Sequence, residues 1–509
     1  MSSFKDKVKK YEGFFILVGV LFVISIVLGV VFSMAKSHNT NSDGDYITES
    51  TIETGFDGEN TTNEPVNEHT QELAEQEAAP TEKDTETDTT QNVTSTHTEE
   101  LTTKQPIVTQ PVTTKPQVTE PETTKPQVTE LETTKPQTTE AETKQPATEA
   151  PTVKPEPTLE EQAEAILKNM TLEEKVCQMF ILAPEDLYKD YEKIWQIKEV
   201  GDDIKSRLQN YPVAGFIFFA SNLDNPVQTK TMLSDLQQYS HEIEGLPFFT
   251  CVDEEGGRVA RIGNNVNFGV AKIEAMSTVK SAVAAYNAGY TIGAYLSELG
   301  FNFDFAPDAD VITNSENTVI GDRSFGSDAD IVSEYAVQYA KGLSQNNVLS
   351  TFKHFPGHGG TEGDTHEGYA YTGKTYTQLM EAELKPFIAA ANNGVDAIMV
   401  AHISVPNILG DNTPCSLSYK MVTECLRKDI GYQGLIITDS MAMGAITEQY
   451  SNKEAAILAI LAGNDIILMP ADFYEAYDGI LEAVRSGRIS EQRIDESVRR
   501  IIKVKLQLE

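Results

Sequence analysis

The chain has 509 residues and carries 77 acidic against 40 basic side chains, a formal net charge of -37. That excess argues against nucleic acid as a partner, because a polyanion is drawn to basic surfaces and repelled by acidic ones. Cys177, Cys251, Cys415 and Cys425 stand in apolar or helical surroundings with no close pair at metal-ligand spacing, so neither a zinc ribbon nor a disulfide framework is expected and the thiols should be buried and free.

Residues 1–13 are short and basic, with Lys5, Lys7, Lys9 and Lys10, and Phe14–Ala35 follow as an uncharged apolar run of 22 residues. At 1.5 Å rise per residue such a run crosses a bilayer, and the lysines before it predict a cytoplasmic N-terminus. A cleaved signal peptide is the competing reading, with Ser33 and Ala35 as a weak cleavage site, but its apolar region is normally only about 7 to 15 residues long. The expectation is an uncleaved single-pass anchor over 14–35, the membrane as a partner, and a catalytic part held outside the cell on the wall side. Residues 36–157 are rich in Thr, Glu, Pro, Gln and Lys, and TTKPQVTEPE at Thr113–Glu122 recurs at once as TTKPQVTELE and TTKPQTTEAE. These units have no apolar face to stack, so burial cannot offset the entropy of ordering and a disordered tether is expected.

Residues 158–509 are long enough to bury a large core. Thr171 and Glu174 form a capping-box pattern before a helix. Eight apolar runs then follow: CQMFILA, VAGFIFFA, PFFTCV, FNFDFA, VLSTFK, DAIMVA, GLIIT and DIILM. Helical periodicity lies between them, as in SAVAAYNAGYTIGAYLSELG and QLMEAELKPFIAAANN, with an irregular, partly helical insertion over Pro184–Gln209. Eight strands alternating with helices predict an α/β fold, a (β/α)8 TIM-type barrel, preceded by the transmembrane helix and the tether. The glycines of the apolar run, at 13, 19 and 29, give no dimerisation pattern, so a monomer is expected.

Polar residues gather just behind the strands: Asp253, Asp308, Asp310, Arg323, Lys353, His354, His402 and Asp439. Each alone reads most simply as a helix cap or a surface charge. Together they point to one pocket, because all strand C-terminal ends of such a barrel open on one face. KHFPGHGGTEGDTHEG, Lys353–Gly368, adds a glycine-rich loop with three histidines. It lacks the glycine and lysine order of a phosphate loop, and no dinucleotide fingerprint follows an early strand, so no cofactor is expected. Zinc on His354, His358, Asp364 and His366 is a competing reading, but it leaves Asp439 without a role. Glycoside hydrolysis uses the whole set. Asp439 at a strand end is placed as a nucleophile, and His366, beside Asp364, as a proton donor and acceptor.

KHFPGHG with the downstream DTH, together with DEEGGRV, FAPDADV, IGDRSFG and ITDSMAMG, resembles glycoside hydrolase family 3 in its β-N-acetylglucosaminidase branch. The resemblance runs from MTLEEKVCQMF to RIDESVRRIIKVK. It implies Asp439 as nucleophile, His366 as acid/base with Asp364 as its partner, and Asp253, Arg323, Lys353 and His354 as the grip on the nonreducing sugar. It also implies a retaining enzyme that removes terminal N-acetylhexosamine from saccharides or muropeptides. A β-glucosidase, a xylosidase or a phosphorylase of the same fold is the alternative, and a silent saccharide-binding surface protein is another class. The chain departs from the branch in carrying Thr365 where Ser is common and Asp308 at an otherwise apolar position. No second domain is expected after the eighth segment, so the acid should come from a barrel loop.

Overall fold

The structure, a computed structural model, describes residues 157–189, 196–366 and 368–508. Eight parallel strands close in sequence order into a barrel: β1 Phe180–Leu182, β2 Gly215–Phe218, β3 Phe249–Val252, β4 Phe303–Asp304, β5 Leu349–Phe355, β6 Ala397–Val400, β7 Leu435–Ser440 and β8 Ile466–Leu468. Closure is made by β1 against β8, with Phe180 opposite Ile467 and Ile181 opposite Leu468. Every predicted apolar run holds one of these strands. They are continuous runs because an enclosed parallel strand is covered on both faces, by the barrel interior and by the outer helices.

The helices alternate with the strands outside the barrel, among them Pro226–Glu244, Ala282–Leu299, Ala329–Ser344, Asn452–Ala462, Phe473–Arg485 and Glu491–Lys505. The capping box forms as predicted, with Thr171 and Glu174 bonding reciprocally at the start of Leu172–Cys177. The single helix expected over QLMEAELKPFIAAANN is instead two, Tyr376–Glu381 and Lys385–Asn393. Pro386 has no N–H to donate back along a continuous helix and sits in the first turn of the second piece, where none is needed. The insertion after β1 contains a 3-10 turn, Pro184–Leu187, and the helix Asp202–Asn210. All four cysteines are buried free thiols.

The expected membrane anchor requires a correction. Among the described residues no helix is long and apolar enough to cross a membrane. The longest, Pro226–Glu244, carries Lys230, Asp235, Glu242 and Glu244, as a helix with one face on a barrel and one in water must. Residues 14–35, on which the anchor rested, lie outside the described residues, as do 1–13 and nearly all of the tether. Among the described residues the architecture is therefore the closed barrel, with no transmembrane helix. A membrane partner and a single-pass, outward-facing location have no support in it.

Candidate active site

The strand ends bring charges together that could not be buried singly. Asp253 follows β3, Lys353 and His354 lie near the end of β5, and Arg323 ends the 3-10 turn Gly321–Arg323. Lys353 Nζ, on a side chain only 3% exposed, lies 2.8 Å from Asp253 Oδ1 and 2.7 Å from Glu255 Oε1. Arg323 forks onto Glu255 at 2.8 and 2.7 Å, the bidentate geometry that suits guanidinium to carboxylate. Burial would push the Lys353 ammonium down, but Asp253 and Glu255 outweigh it and hold it above its ordinary value. Burial likewise opposes ionisation of Glu255, yet Arg323 and Lys353 hold it well below the usual carboxylate range. Asp253 is kept low against burial by Lys353 and by Arg261, whose guanidinium is 3.3 Å away.

His354 completes this floor. Its Nδ1 is 2.7 Å from Asp310 Oδ2 and its Nε2 is 3.3 Å from Arg323. Arginine can only donate, so Nε2 accepts and Nδ1 carries the proton toward Asp310. Burial pushes Asp310 up, and His354 and His358 more than reverse it. Asp308 has the opposite fate. It is fully buried, its Oδ1 accepts from Asp310 N at 3.1 Å, and its Oδ2 has no hydrogen-bond partner. Burial first, then Asp310, raises its carboxyl well above the usual range, which favours the protonated form. Asp308, Asp310 and His354 have ligand-type atoms within 4.8 Å of one another. The donor set fits a cation poorly, because Arg323 lies 3.6 Å from Asp308 Oδ2 and the Nδ1 proton is already committed to Asp310. The residues of the competing zinc reading have other partners: His358 bonds to Thr361 and Thr365, and His366 to Asp364.

Above the floor stand Asp439 and His366. Asp439, near the end of β7, accepts from Ser440 N at 2.8 Å. Burial raises its pKa, but His354 and His402 bring it below the ordinary value, so it is a carboxylate. His366 Nδ1 is 2.8 Å from Asp364 Oδ1, which also accepts from His366 N at 2.9 Å. This fixes the imidazole with Nδ1–H on the carboxylate and leaves Nε2 as the ring atom available to a ligand. The two groups line one cavity of about 510 Å³ together with Asp253, Glu255, Arg261, Arg323, Lys353 and His354, and with Phe219, Phe305, Met399 and Met443 on its apolar sides.

All seven predicted site residues thus lie at this mouth, six in the cavity wall and Asp364 behind His366. His402 does not line it. It is buried, its Nε2 donates to Ser440 O at 2.9 Å, and its Nδ1 accepts from Ser416 at 2.7 Å, so it fixes the end of β7 from behind. Glu255 and Arg261 were missed. Their signal was the short hairpin Glu254–Gly256 with Val259–Ala260: side chains alternate along it, sending Asp253 and Glu255 to the cavity while Glu254 turns inward to Tyr295 and the Ile262 and Gly263 amides.

Comparison with known proteins gives a consistent set of relatives. The family described as "Glycosyl hydrolase family 3 N terminal domain" matches residues 171–504. The chain is 33% identical over 332 residues to beta-hexosaminidase A of Pseudoalteromonas piscicida, covering 60% of this chain and 55% of that one. It is 34% identical over 268 residues to beta-hexosaminidase LpqI of Mycobacterium tuberculosis, covering 51% and 68%. Among solved structures it is similar to a glycoside hydrolase family 3 beta-N-acetylglucosaminidase from Paenibacillus, with TM-score 0.62 and 35% identity over 67% of this chain and 63% of that one. A family 3 glycosyl hydrolase from Mycobacterium smegmatis gives TM-score 0.56 and 31% identity over 67% and 98%. The chain therefore spans just over half the length of the Pseudoalteromonas protein and nearly all of the Mycobacterium smegmatis one.

Proposed function

Because this chain belongs to glycosyl hydrolase family 3, we propose that it is a retaining β-N-acetylglucosaminidase that removes terminal nonreducing N-acetylhexosamine, with peptidoglycan-derived muropeptides as its substrates. The catalytic unit is residues 158–509, and 36–157 serve as its linker. The observation that carries the reading is the single cavity shared by the Asp439 carboxylate and the Asp364-bound His366 imidazole. Two such groups are what double displacement at an anomeric carbon needs.

Asp253, Arg323, Lys353 and His354 grip the hydroxyls of the nonreducing sugar. Asp439 attacks the anomeric carbon while His366, as imidazolium, gives its Nε2 proton to the departing oxygen. The Asp364 carboxylate stabilises that imidazolium through Nδ1. Water then enters, His366 Nε2 takes its proton, and the glycosyl–Asp439 bond is cleaved with net retention. Phe219, Phe305 and Met443 give the cavity an apolar side.

The test is hydrolysis by the purified full chain of matched aryl β-N-acetylglucosaminide and aryl β-glucoside, with and without phosphate. Release selective for the acetamido sugar and indifferent to phosphate is expected. Preference for the glucoside would overturn the substrate, and a phosphate requirement would make the enzyme a phosphorylase.

A further inference from the structure

The segment that carries Asp364 and His366 is secured unevenly. Its base is bound into the barrel. Thr313 N and Asn314 N both donate to Gly359 O, at 3.2 and 3.1 Å. Gly359 lies so close to Val311 O that an added Cβ would stand 2.3 Å from it. At the other end Lys374 Nζ donates to Thr313 Oγ1 at 2.7 Å and pairs with the buried Glu383. The tip has fewer ties. Asp364 and His366 bond mainly to each other, and the His366 side chain is 65% exposed. Thr365, between them, is 1% exposed.

Thr365 is the residue that reaches back to the barrel. Its hydroxyl is 3.3 Å from His358 Nε2, and its carbonyl accepts from Ala445 N at 3.3 Å, in the short helix Gly444–Thr447 that follows β7. His358 is itself fixed. Its N donates to Asp310 Oδ1 at 2.5 Å, its carbonyl accepts from Asn317 Nδ2 at 2.8 Å, and its Nδ1 is 2.8 Å from Thr361 Oγ1. Burial, followed by His354, lowers its pKa, so the ring is neutral at neutral pH. A hydroxyl both donates and accepts, so Thr365 bonds either tautomer of that ring. A methyl group bonds neither.

We propose that Thr365 and His358 are positioning residues for proton transfer: their hydrogen bond docks the Asp364–His366 pair over the cavity and sets the reach of the imidazole to the leaving oxygen. His358, one of the histidines that suggested a metal in the sequence, thereby has a role without one. The inference rests on the reading of His366 as acid/base, and its test separates the two.

In the full chain, Thr365→Val, Thr365→Ala and Thr365→Ser are compared with His366→Ala by kcat/KM, which reports the first, glycosylating step. One substrate is an aryl N-acetylglucosaminide with an acidic phenol leaving group, and the other is the β-1,4 dimer of N-acetylglucosamine, whose sugar leaving group needs a proton. Thr365→Val and Thr365→Ala should each lose about 10- to 100-fold on the dimer and less than about 3-fold on the aryl glycoside. Thr365→Ser should recover to within about 3-fold of the parent on both. Equal losses on the two substrates, no loss on the dimer, or no rescue by serine would overturn the positioning role. If His366→Ala itself does not distinguish the leaving groups, the acid/base reading fails; if it does and Thr365→Val does not, the docking bond is what fails.

Discussion

Asp439 lies near the end of β7 and Asp308 just beyond β4, and their surroundings shift the two carboxyls in opposite directions. His354, His402 and the Ser440 N–H hold the Asp439 pKa down against its burial, as a nucleophile requires. Asp439→Asn keeps the shape and removes the attacking charge. It should lower kcat by at least about 10³-fold with an unchanged melting temperature, and near-normal turnover in that variant would refute the assignment. Burial and Asp310 push the Asp308 carboxyl up. Its folded pKa is raised, so the native state keeps a proton that the unfolded chain releases. That contribution to stability is complete below the ordinary carboxylate range and declines as pH rises toward the folded value. Asp308→Asn cannot ionise, so relative to it the parent should lose stability as pH climbs above the ordinary Asp value of about 4, read as a widening gap in melting temperature. A constant gap would mean that Asp308 is charged throughout. The cavity residues were legible as a set, because most of them follow apolar runs, where a barrel exposes its strand tips. Glu255 and Arg261 were not, because which of two adjacent glutamates faces the cavity depends on a hairpin whose first strand is three residues long. His402 read as part of the wall although it supports the wall from behind, a distinction that follows from its bond to the Ser440 carbonyl.

The two helices Ala282–Leu299 and Ala329–Ser344 cross at glycines, and that crossing flanks the strands that deliver Asp308, Asp310 and Lys353. An added Cβ on Gly342 would stand 2.3 Å from Tyr286 O, and one on Gly289 would stand 2.1 Å from Tyr339 O. Backbone faces backbone there, so neither side can rotate away. Gly342→Ala should destabilise by about 1–3 kcal/mol, seen as a lower denaturant midpoint with an unchanged slope, while the Asp439-dependent chemistry of the surviving folded fraction persists. An unchanged midpoint would show that the helices can part without cost. Strands were the most legible elements, since a run buried on both faces needs no long-range information. The split at Ala382–Leu384 was less so: apolar spacing continued across it, and the proline that permits the second start was read as part of one helix.

Taken as a whole, the barrel was legible from a count of eight, because a parallel sheet of that size closes when helices cover its outside. The membrane anchor was the reading that required correction, and it rested on a segment outside the described barrel. Closure has a further meaning. β1 pairs with β8, and beside that seam the first helix, Leu159–Leu167, lies on the last, Glu491–Lys505, through Arg499 with Glu164 at 2.8 Å and Lys503 with Glu160 at 2.7 Å. The beginning and end of the described fold are therefore neighbours, and the order in which the eight units are strung is a matter of where the ribbon was cut. A circularly permuted chain, with 508 joined to 158 by a short flexible linker and new ends opened at exposed Asn210, should rebuild the same pocket from the same strands in a different genetic order.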